Sequence, residues 1–586
     1  MSRPLPISKD EFARFFKRCV PPTGWSRKIA VANSGGPDST CLLFLIRRYI
    51  QDLHKESPEA FPSSLVSLTI DHALQPDSDV VARRCADQAK VMGVEHVTSQ
   101  IPWSTPPFPE CPKSGEAFEE IGRSARYQLL FQRMNETQAE IVALGHHGDD
   151  QVETSLMRLA RGSTEIGAGG MRRCRRWGMG LHGDENTLGW AGALGMKRWI
   201  IRPLLDVSKD RILASCEEHK LEYITDPTNF QPELTLRNAI RQLISKNSFD
   251  PQSLGENVPP YIAQSLDQVQ HSIASLESVD MDPSGGLEHL RAAVTVLSEQ
   301  VEDIDSLVDS SLNRCRLPSP PGTYLVSYRG LATIRDPLVQ RALVLRIMRY
   351  VSFFAWGTVR ADANRRRSSI ERIIANLWTP DPFAAGIAPF VAGGGVFWSP
   401  VVIGRKSLRI PAGPHPPQMH PGDIIGWLAA RQPPLKRARM EEAGIPNPLR
   451  VDITDRLRAR LEARHQNPGQ VLDVLWDCRF LLRMDVDRVP DGIARGVLEG
   501  RDRVVVHPHT RWYWPKVLHV RPQRGTGPQA EVVVHSTLSS PESAKGGLVK
   551  LDRDMVASWP PAFRRTTGEV SADWIETEWI RSLSAL

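Results

Sequence analysis

Two glycines, one carboxylate and three hydroxyls stand together in Ser34-Gly35-Gly36-Pro37-Asp38-Ser39-Thr40, directly after the apolar run at residues 28–32. Glycines let a backbone turn sharply and present successive N–H groups, and hydroxyls that open a helix bring its positive amino end to the same point. The loop suits an anion. It is not a lysine-bearing phosphate loop, because no G-x-x-x-x-G-K-S/T spacing exists in the chain and no lysine follows these glycines. A second polar group, Asp71 and His72, lies in "DHALQ", and a third, His146, His147, Asp149, Asp150 and Glu153, lies in "GHHGDDQVE". The histidines and aspartates could ligate zinc, but no fourth-ligand pattern accompanies them. Carboxylates serving magnesium and a nucleotide fit the neighbouring loop better.

Arg123 and Arg126 are one helical turn apart, so both can face one anion, although Glu119 could pair with Arg123 instead. Asp226, Asn229, Arg237, Asn238 and Arg241 gather at a loop-to-helix junction, where capping is the plain alternative for the first two.

Strands and helices alternate from about residue 27 to 248, and the three polar loops each follow a predicted strand: "KIAVAN", "SLVSLTIDH" and "AEIVALGHH". This alternation predicts a parallel sheet covered by helices on both faces, with the ligand beyond the carboxyl ends of the strands. Further on, "IAQSLDQVQHSIASLESV" and "HLRAAVTVLSEQVEDIDSLVDSSL" are helical by apolar period, and the glycines at 393–395 read as a tight hairpin. Strand-like "DRVVVHPH" and "AEVVVHS" follow near the end of the sequence.

With 586 residues the chain exceeds one core and suggests three or four domains. Forty-one per cent apolar and 24% charged residues exclude a fibrous or fully disordered protein. The eight cysteines are scattered, with no C-x-x-C pair, as suits a reducing compartment. The opening segment lacks an apolar signal core; Phe12, Phe15, Phe16, Lys17 and Arg18 suggest a surface helix packed on the first domain, with a divergent organelle-import signal as the alternative. No stretch reads as a transmembrane helix, so no membrane partner is expected. Basic clusters at 172–176, 365–367 and 436–439 could meet a phosphate backbone or be solvated loops.

The S-G-G-x-D-S string resembles the pyrophosphate loop of the N-type ATP pyrophosphatases. Within that superfamily, Glu119, Arg123, Arg126 and Tyr127, the block His146-His147-x-Asp149-Asp150-Gln151-x-Glu153-Thr154, the "RPLL" at 202–205, and "DPTN" with "RNAIR" resemble the ordered motifs of the tRNA(Ile)-lysidine synthases. The resemblance covers about residues 27–248 and implies an adenine nucleotide α-hydrolase-like α/β domain; the helical periods beyond it and the strand-like runs after 451 suggest a helical domain and then an α+β C-terminal region. It implies ATP and Mg2+ as cofactors, with Ser34, Gly35, Gly36, Pro37, Asp38, Ser39, Thr40, Asp71, His72 and Arg126 at the nucleotide and Asp38 at the metal. Asp38, Asp149, Asp150 and Arg123 would be catalytic. His146, His147, Glu153, Asp226, Asn229, Arg237, Asn238 and Arg241 would meet the other substrates.

Those substrates, by resemblance, are an isoleucine tRNA with a CAU anticodon and free lysine, joined to make lysidine at the wobble cytidine. Residues 1–250 then read as the catalytic domain, 251–320 as a helical substrate-binding segment, 321–450 as a mixed tRNA-contacting region with linkers, and 451–586 as an α+β region without an assigned role. The compartment would be the cytoplasm or the mitochondrial matrix. Three departures stand out: Asn33 where a small apolar residue is usual, Ala73 and Gln75 where the family has "DHGLR", and an insertion-like segment from Cys174 to Gly195. Rival readings are a tRNA thiolase of the same superfamily, disfavoured by the scattered cysteines, and a non-catalytic tRNA-binding homologue.

Overall fold

The computed structural model describes residues 3–586 apart from 75–76, 113–117, 181–189, 225–234, 246–253, 255–257, 359–360, 362–365, 405–407, 412–416, 436, 465, 467, 510–511, 523–529 and 537–569. The chain divides into two compact units, one of residues 1–177, 197–305 and 586, the other of 178–196 and 306–585.

In the first unit, α1 (Lys9–Lys17) precedes β1 (Lys28–Ala32), α2 (Pro37–Glu56), β2 (Ser64–Asp71), α3 (Ser78–Val91), β3 (Glu95–Gln100), α4 (Phe118–Glu136), β4 (Ile141–Ala143) and α5 (Gly148–Leu159). Then come α6 (Glu165–Ala168), β5 (Cys174–Arg176), β6 (Trp199–Ile201), α7 (Lys209–Glu218), α8 (Leu236–Ser245), α9 (Pro260–Ala274) and α10 (Gly286–Cys315). The described strands form one sheet in the order β3-β2-β1-β4-β6-β5, parallel throughout except for β5. Ile29, Ala30 and Val31 of β1 are fully buried. Burial on both faces explains why these strands read as continuous apolar runs rather than alternating ones.

The chain runs outward from β1 to β2 and β3, then returns to place β4 on the other side of β1. That reversal opens a crevice at the carboxyl ends of β1 and β4, where two of the polar loops begin. Helix α1 is capped by Ser8 and buries Phe12 and Phe16 on the core shared with α2, Phe16 stacking on Trp25 at 4.4 Å. Val152, Leu156 and Leu159 of α5 share a second core with α8, α9 and the first turns of α10. No helix among the described residues is long and apolar enough to cross a membrane.

The second unit is built on antiparallel sheets. The largest has the strand order 408–409, 396–403, 424–431, 323–327 and 316–317, and a hairpin turns through Gly393, Gly394 and Gly395, all at positive φ, to pair Ala392 with Val396. Four strands from 451 to 535, and three from 471 to 579, make two smaller sheets. The insertion-like segment is split: Cys174–Arg176 forms strand β5 of the first unit, whereas Met179 and Met196 join Trp356, Cys478, Leu481 and Ile580 in a core of the second.

Candidate active site

The glycine loop is organised by Asn33, at the end of β1. Asn33 is 2% exposed; its Oδ1 accepts from Gly35 N at 3.0 Å and from Ser39 Oγ at 3.2 Å, and its Nδ2 donates to Ser67 Oγ at 3.2 Å. Thr69 Oγ1 donates to the Asn33 carbonyl at 2.8 Å, tying the loop to β2. An apolar residue could make none of the side-chain bonds, so the departure from the family pattern is what folds this version of the loop. Gly35 turns at φ +78°, and a Cβ there would lie 2.9 Å from Cys85 Sγ. Gly36 caps α2 with Pro37 in its first turn, so the amino end of a 20-residue helix faces the crevice.

Two further helices begin at the same place. His147 caps α5: its Nδ1 accepts from Asp149 N at 3.3 Å, while Asp150 Oδ2 accepts from His147 N at 3.1 Å. Ser208 stands at the cap position of α7, and Val207 O accepts from Gly148 N at 2.8 Å, joining the starts of α7 and α5. Gly145 permits the third approach. A Cβ on it would lie 3.0 Å from the Asp38 carbonyl carbon and 3.1 Å from Ser39 N.

The carboxylates each have partners. Asp38 Oδ1 accepts from Lys209 Nζ at 2.5 Å, with His147 Nε2 3.8 Å away. Asp149 Oδ1 accepts from Arg291 Nε of α10 at 2.6 Å. Glu153 is paired with Arg241 and, at 3.4 Å, with Arg237. Burial raises the Glu153 carboxyl above its usual range despite Arg241 beside it. Asp71 Oδ1 accepts from Ala73 N at 2.8 Å, and Ala73 sits at φ +51°, a left-handed position that favours the glycine absent here.

Beside these lies an arginine group. Arg202, 4% exposed, donates from Nε to His146 Nδ1 at 3.3 Å and from its Nη1 to the Arg172 carbonyl at 2.9 Å; Arg175 donates to the carbonyls of Arg176 and Trp177. Neither has a carboxylate partner among the described residues. Burial, with Arg175 next to it, pulls Arg202 down to about 10. Burial and then Arg202, Arg123 and Arg126 hold His146 well below the ordinary imidazole range, so at neutral pH it is a neutral acceptor. Burial and Arg126 likewise bring His72 down to about 4. The guanidinium of Arg123 lies 5.4 Å from the Tyr127 ring centre.

Sequence-predicted residues from the three loops thus lie at the carboxyl ends of the neighbouring strands β2, β1 and β4, whereas Asp149 turns toward Arg291 and Glu153 toward α8. Asn238 stands in the first turns of α8, its N–H donating to Thr235 Oγ1 at 3.2 Å. Asp226, Asn229, Gln75 and the Glu119 side chain lie outside the described residues. In the cluster at 172–176, Arg172 pairs with Asp305 and Arg173 with Asp206 and Glu302, whereas Arg175 donates to carbonyls. Of the cluster at 365–367, Arg365 lies outside the description and Arg367 pairs with Glu371 at 2.7 Å. Lys209 was missed. Its only signal was "DVSKD" opening a helix after the fifth parallel strand, β6.

Residues 6–248 match the PP-loop domain family. A curated tRNA(Ile)-lysidine synthase of Bacillus licheniformis is 29% identical over 235 residues, 39% of this chain and 43% of that protein. One from a Bradyrhizobium species is 34% identical over 253 residues, 43% of this chain and 60% of that one. One from Methylobacterium nodulans is 27% identical over 391 residues, covering 67% and 90%. The matched part of the chain spans about half the length of the first two relatives, 43% and 60%.

Proposed function

We propose that this chain, whose residues 6–248 match the PP-loop domain family, is an ATP-dependent ligase that attaches lysine to C2 of the wobble cytidine of a CAU-anticodon isoleucine tRNA. The C2 carbonyl oxygen attacks the α-phosphorus of ATP and pyrophosphate leaves; the ε-amine of lysine then displaces AMP, and one proton passes from the amine to a base. Adenylation turns a poor leaving oxygen into AMP. The observation that carries the reading is the meeting of three helix amino ends, of α2, α5 and α7, around the glycine loop. Amide donors and aligned dipoles aimed at one point stabilise the charge that develops on a departing pyrophosphate.

A magnesium ion fits Asp38. No group of three or more potential ligands that could hold a metal stands among the described residues, so the ion would share Asp38 with phosphate oxygens, the usual manner of Mg2+. Bound there, it would draw charge from the phosphates. The neutral His146 and the arginine group of Arg202, Arg175 and Arg123 offer donors to the RNA phosphate or the adenylated base. For the base we favour Asp150, whose Oδ2 accepts from His147 N at 3.1 Å.

Radiolabelled lysine, ATP and an unmodified CAU-anticodon transcript provide the test. Labelled RNA with one AMP per lysine is expected, and Asp150→Asn should retain AMP formation while losing label. AMP without label from the wild-type protein would move the nucleophile elsewhere, as in a thiolase. No AMP at all would leave a tRNA-binding protein.

A further inference from the structure

The glycine loop carries no lysine, yet one reaches it from another element. Lys209 is the first residue of α7, 171 positions beyond Asp38, and its Nζ lies 2.5 Å from Asp38 Oδ1. Its placement is fixed from three sides. Val207 O, two residues before, accepts from Gly148 N; Cys216 Sγ, two turns on, lies 3.7 Å from the Pro37 carbonyl; and Ile224 N, beyond the helix, donates to Gly35 O at 2.9 Å. Cys216 also hydrogen-bonds with Cys41 of α2, a contact that together with burial pushes the Cys41 thiol well up. These contacts hold the start of α7 against α2, so the Lys209 stem is rooted beside the loop. Both Asp38 and Lys209 keep close to a third of their side-chain surface open, at 29% and 31%. The pair is therefore at the crevice wall, reachable by a ligand, and not sealed in a core.

Resting on the PP-loop reading above, we infer that Lys209 is the cation that binds the β- and γ-phosphates of ATP and the departing pyrophosphate. In the free protein Asp38 holds the ammonium in position. A polyphosphate entering the crevice offers it several anionic oxygens in place of one carboxylate, and a flexible four-carbon stem lets it turn toward them. Helix α7 thus supplies from afar the charge that lysine-bearing phosphate loops carry within their own sequence.

Calorimetric titration of the full chain with inorganic pyrophosphate, ATP and AMP, each with magnesium chloride, tests this. Lys209→Met should weaken pyrophosphate and ATP by about tenfold or more, the scale of one lost charge-assisted hydrogen bond, and leave AMP unchanged. Lys209→Arg should stay within about threefold of wild type, since the charge is kept. A melting curve checks that each variant folds. A second series in EDTA compares Lys209→Met with Asp38→Asn/Lys209→Met for pyrophosphate. Persistent weakness in the double variant supports direct contact; recovery of wild-type affinity would mean that Lys209 only neutralises Asp38, and would overturn the inference. Equal pyrophosphate affinity for wild type and Lys209→Met overturns it too. If the wild-type chain binds neither ATP nor pyrophosphate, the PP-loop reading falls and takes this inference with it.

Discussion

Two groups of buried charge, one in each unit, are handled in opposite ways. In the second, Asp477 is 4% exposed and receives Arg431 through both carboxylate oxygens, at 2.8 and 2.9 Å, and Arg479 Nε at 2.6 Å. His519 Nε2 stands 2.7 Å from Asp502 Oδ2, both nearly enclosed. Arg431 and Arg479 share that one acid, Asp477. In the first unit Arg202 and Arg175 are buried against carbonyls and an imidazole, with no carboxylate partner among the described residues. A closed ion pair stabilises a fold only by satisfying itself, whereas buried guanidinium groups without an acid leave a standing attraction for an anion. The difference separates charge that fixes shape from charge that awaits a substrate.

The sharpest way to break this contrast is to remove one group from each side. Asp477→Ala leaves two guanidinium groups buried without their acid and should cost about 3–5 kcal/mol of stability, read by chemical denaturation. Arg202→Met removes a buried charge that has no acid to lose. It should change stability by less than about 1 kcal/mol, yet lower ATP-dependent AMP formation by about a hundredfold, the loss typical of one preorganised donor to a developing charge. Equal destabilisation by the two variants would make the arginines of the first unit structural and erase the distinction.

Much of the first unit was legible because doubly buried parallel strands read as apolar runs and glycine-rich or acidic loops interrupt them at the crevice. The alternation placed β1, β2 and β4, and their loops, at one edge. Three features were not legible. Asn33 looked like a departure, because its role depends on Ser67 and Thr69 of a neighbouring strand. Lys209 lay 171 residues from its partner, with only a helix start to mark it. Cys41 and Cys216, scattered in sequence, meet below the loop. In the second unit the obstacle was different: nothing local in "DCRFLLRMD" reveals that Arg479 is fully enclosed, with Asp477, Phe480 and Trp579 against it.

A smaller effect sharpens the same comparison through glycine. A Cβ at Gly145 would press on the backbone of Asp38 and Ser39, and one at Gly426 would lie 2.4 Å from the Val326 carbonyl inside a sheet. Gly145→Ala should weaken ATP binding by about tenfold with a stability loss near 1 kcal/mol, because the displaced backbone carries the loop donors. Gly426→Ala should cost about 1–3 kcal/mol and leave ATP affinity unchanged. Calorimetry and denaturation on both variants decide, and loss of ATP affinity in Gly426→Ala would contradict the division of labour.

The smallest expected effect concerns acid. His146 and His72 have folded values below the ordinary 6.5, His72 at about 4, mainly through burial and the arginines nearby. A depressed imidazole takes up its proton more readily once the chain unfolds, so its contribution to stability is complete above pH 6.5 and declines as pH falls from there toward 4. Between pH 7.5 and 5.5 each should cost about 1 kcal/mol, less for His72 because it is partly open to solvent. His146→Gln should therefore flatten the pH dependence of unfolding by that amount relative to wild type. An unaltered slope would show that His146 takes up its proton as readily in the fold as in the unfolded chain, and an imidazole protonated beside Arg202 would require an acid that the described residues there lack. The neutral ring and the arginines without an acid stand or fall together: the charge that, with burial, keeps a proton from His146 is the same charge held ready for a phosphate.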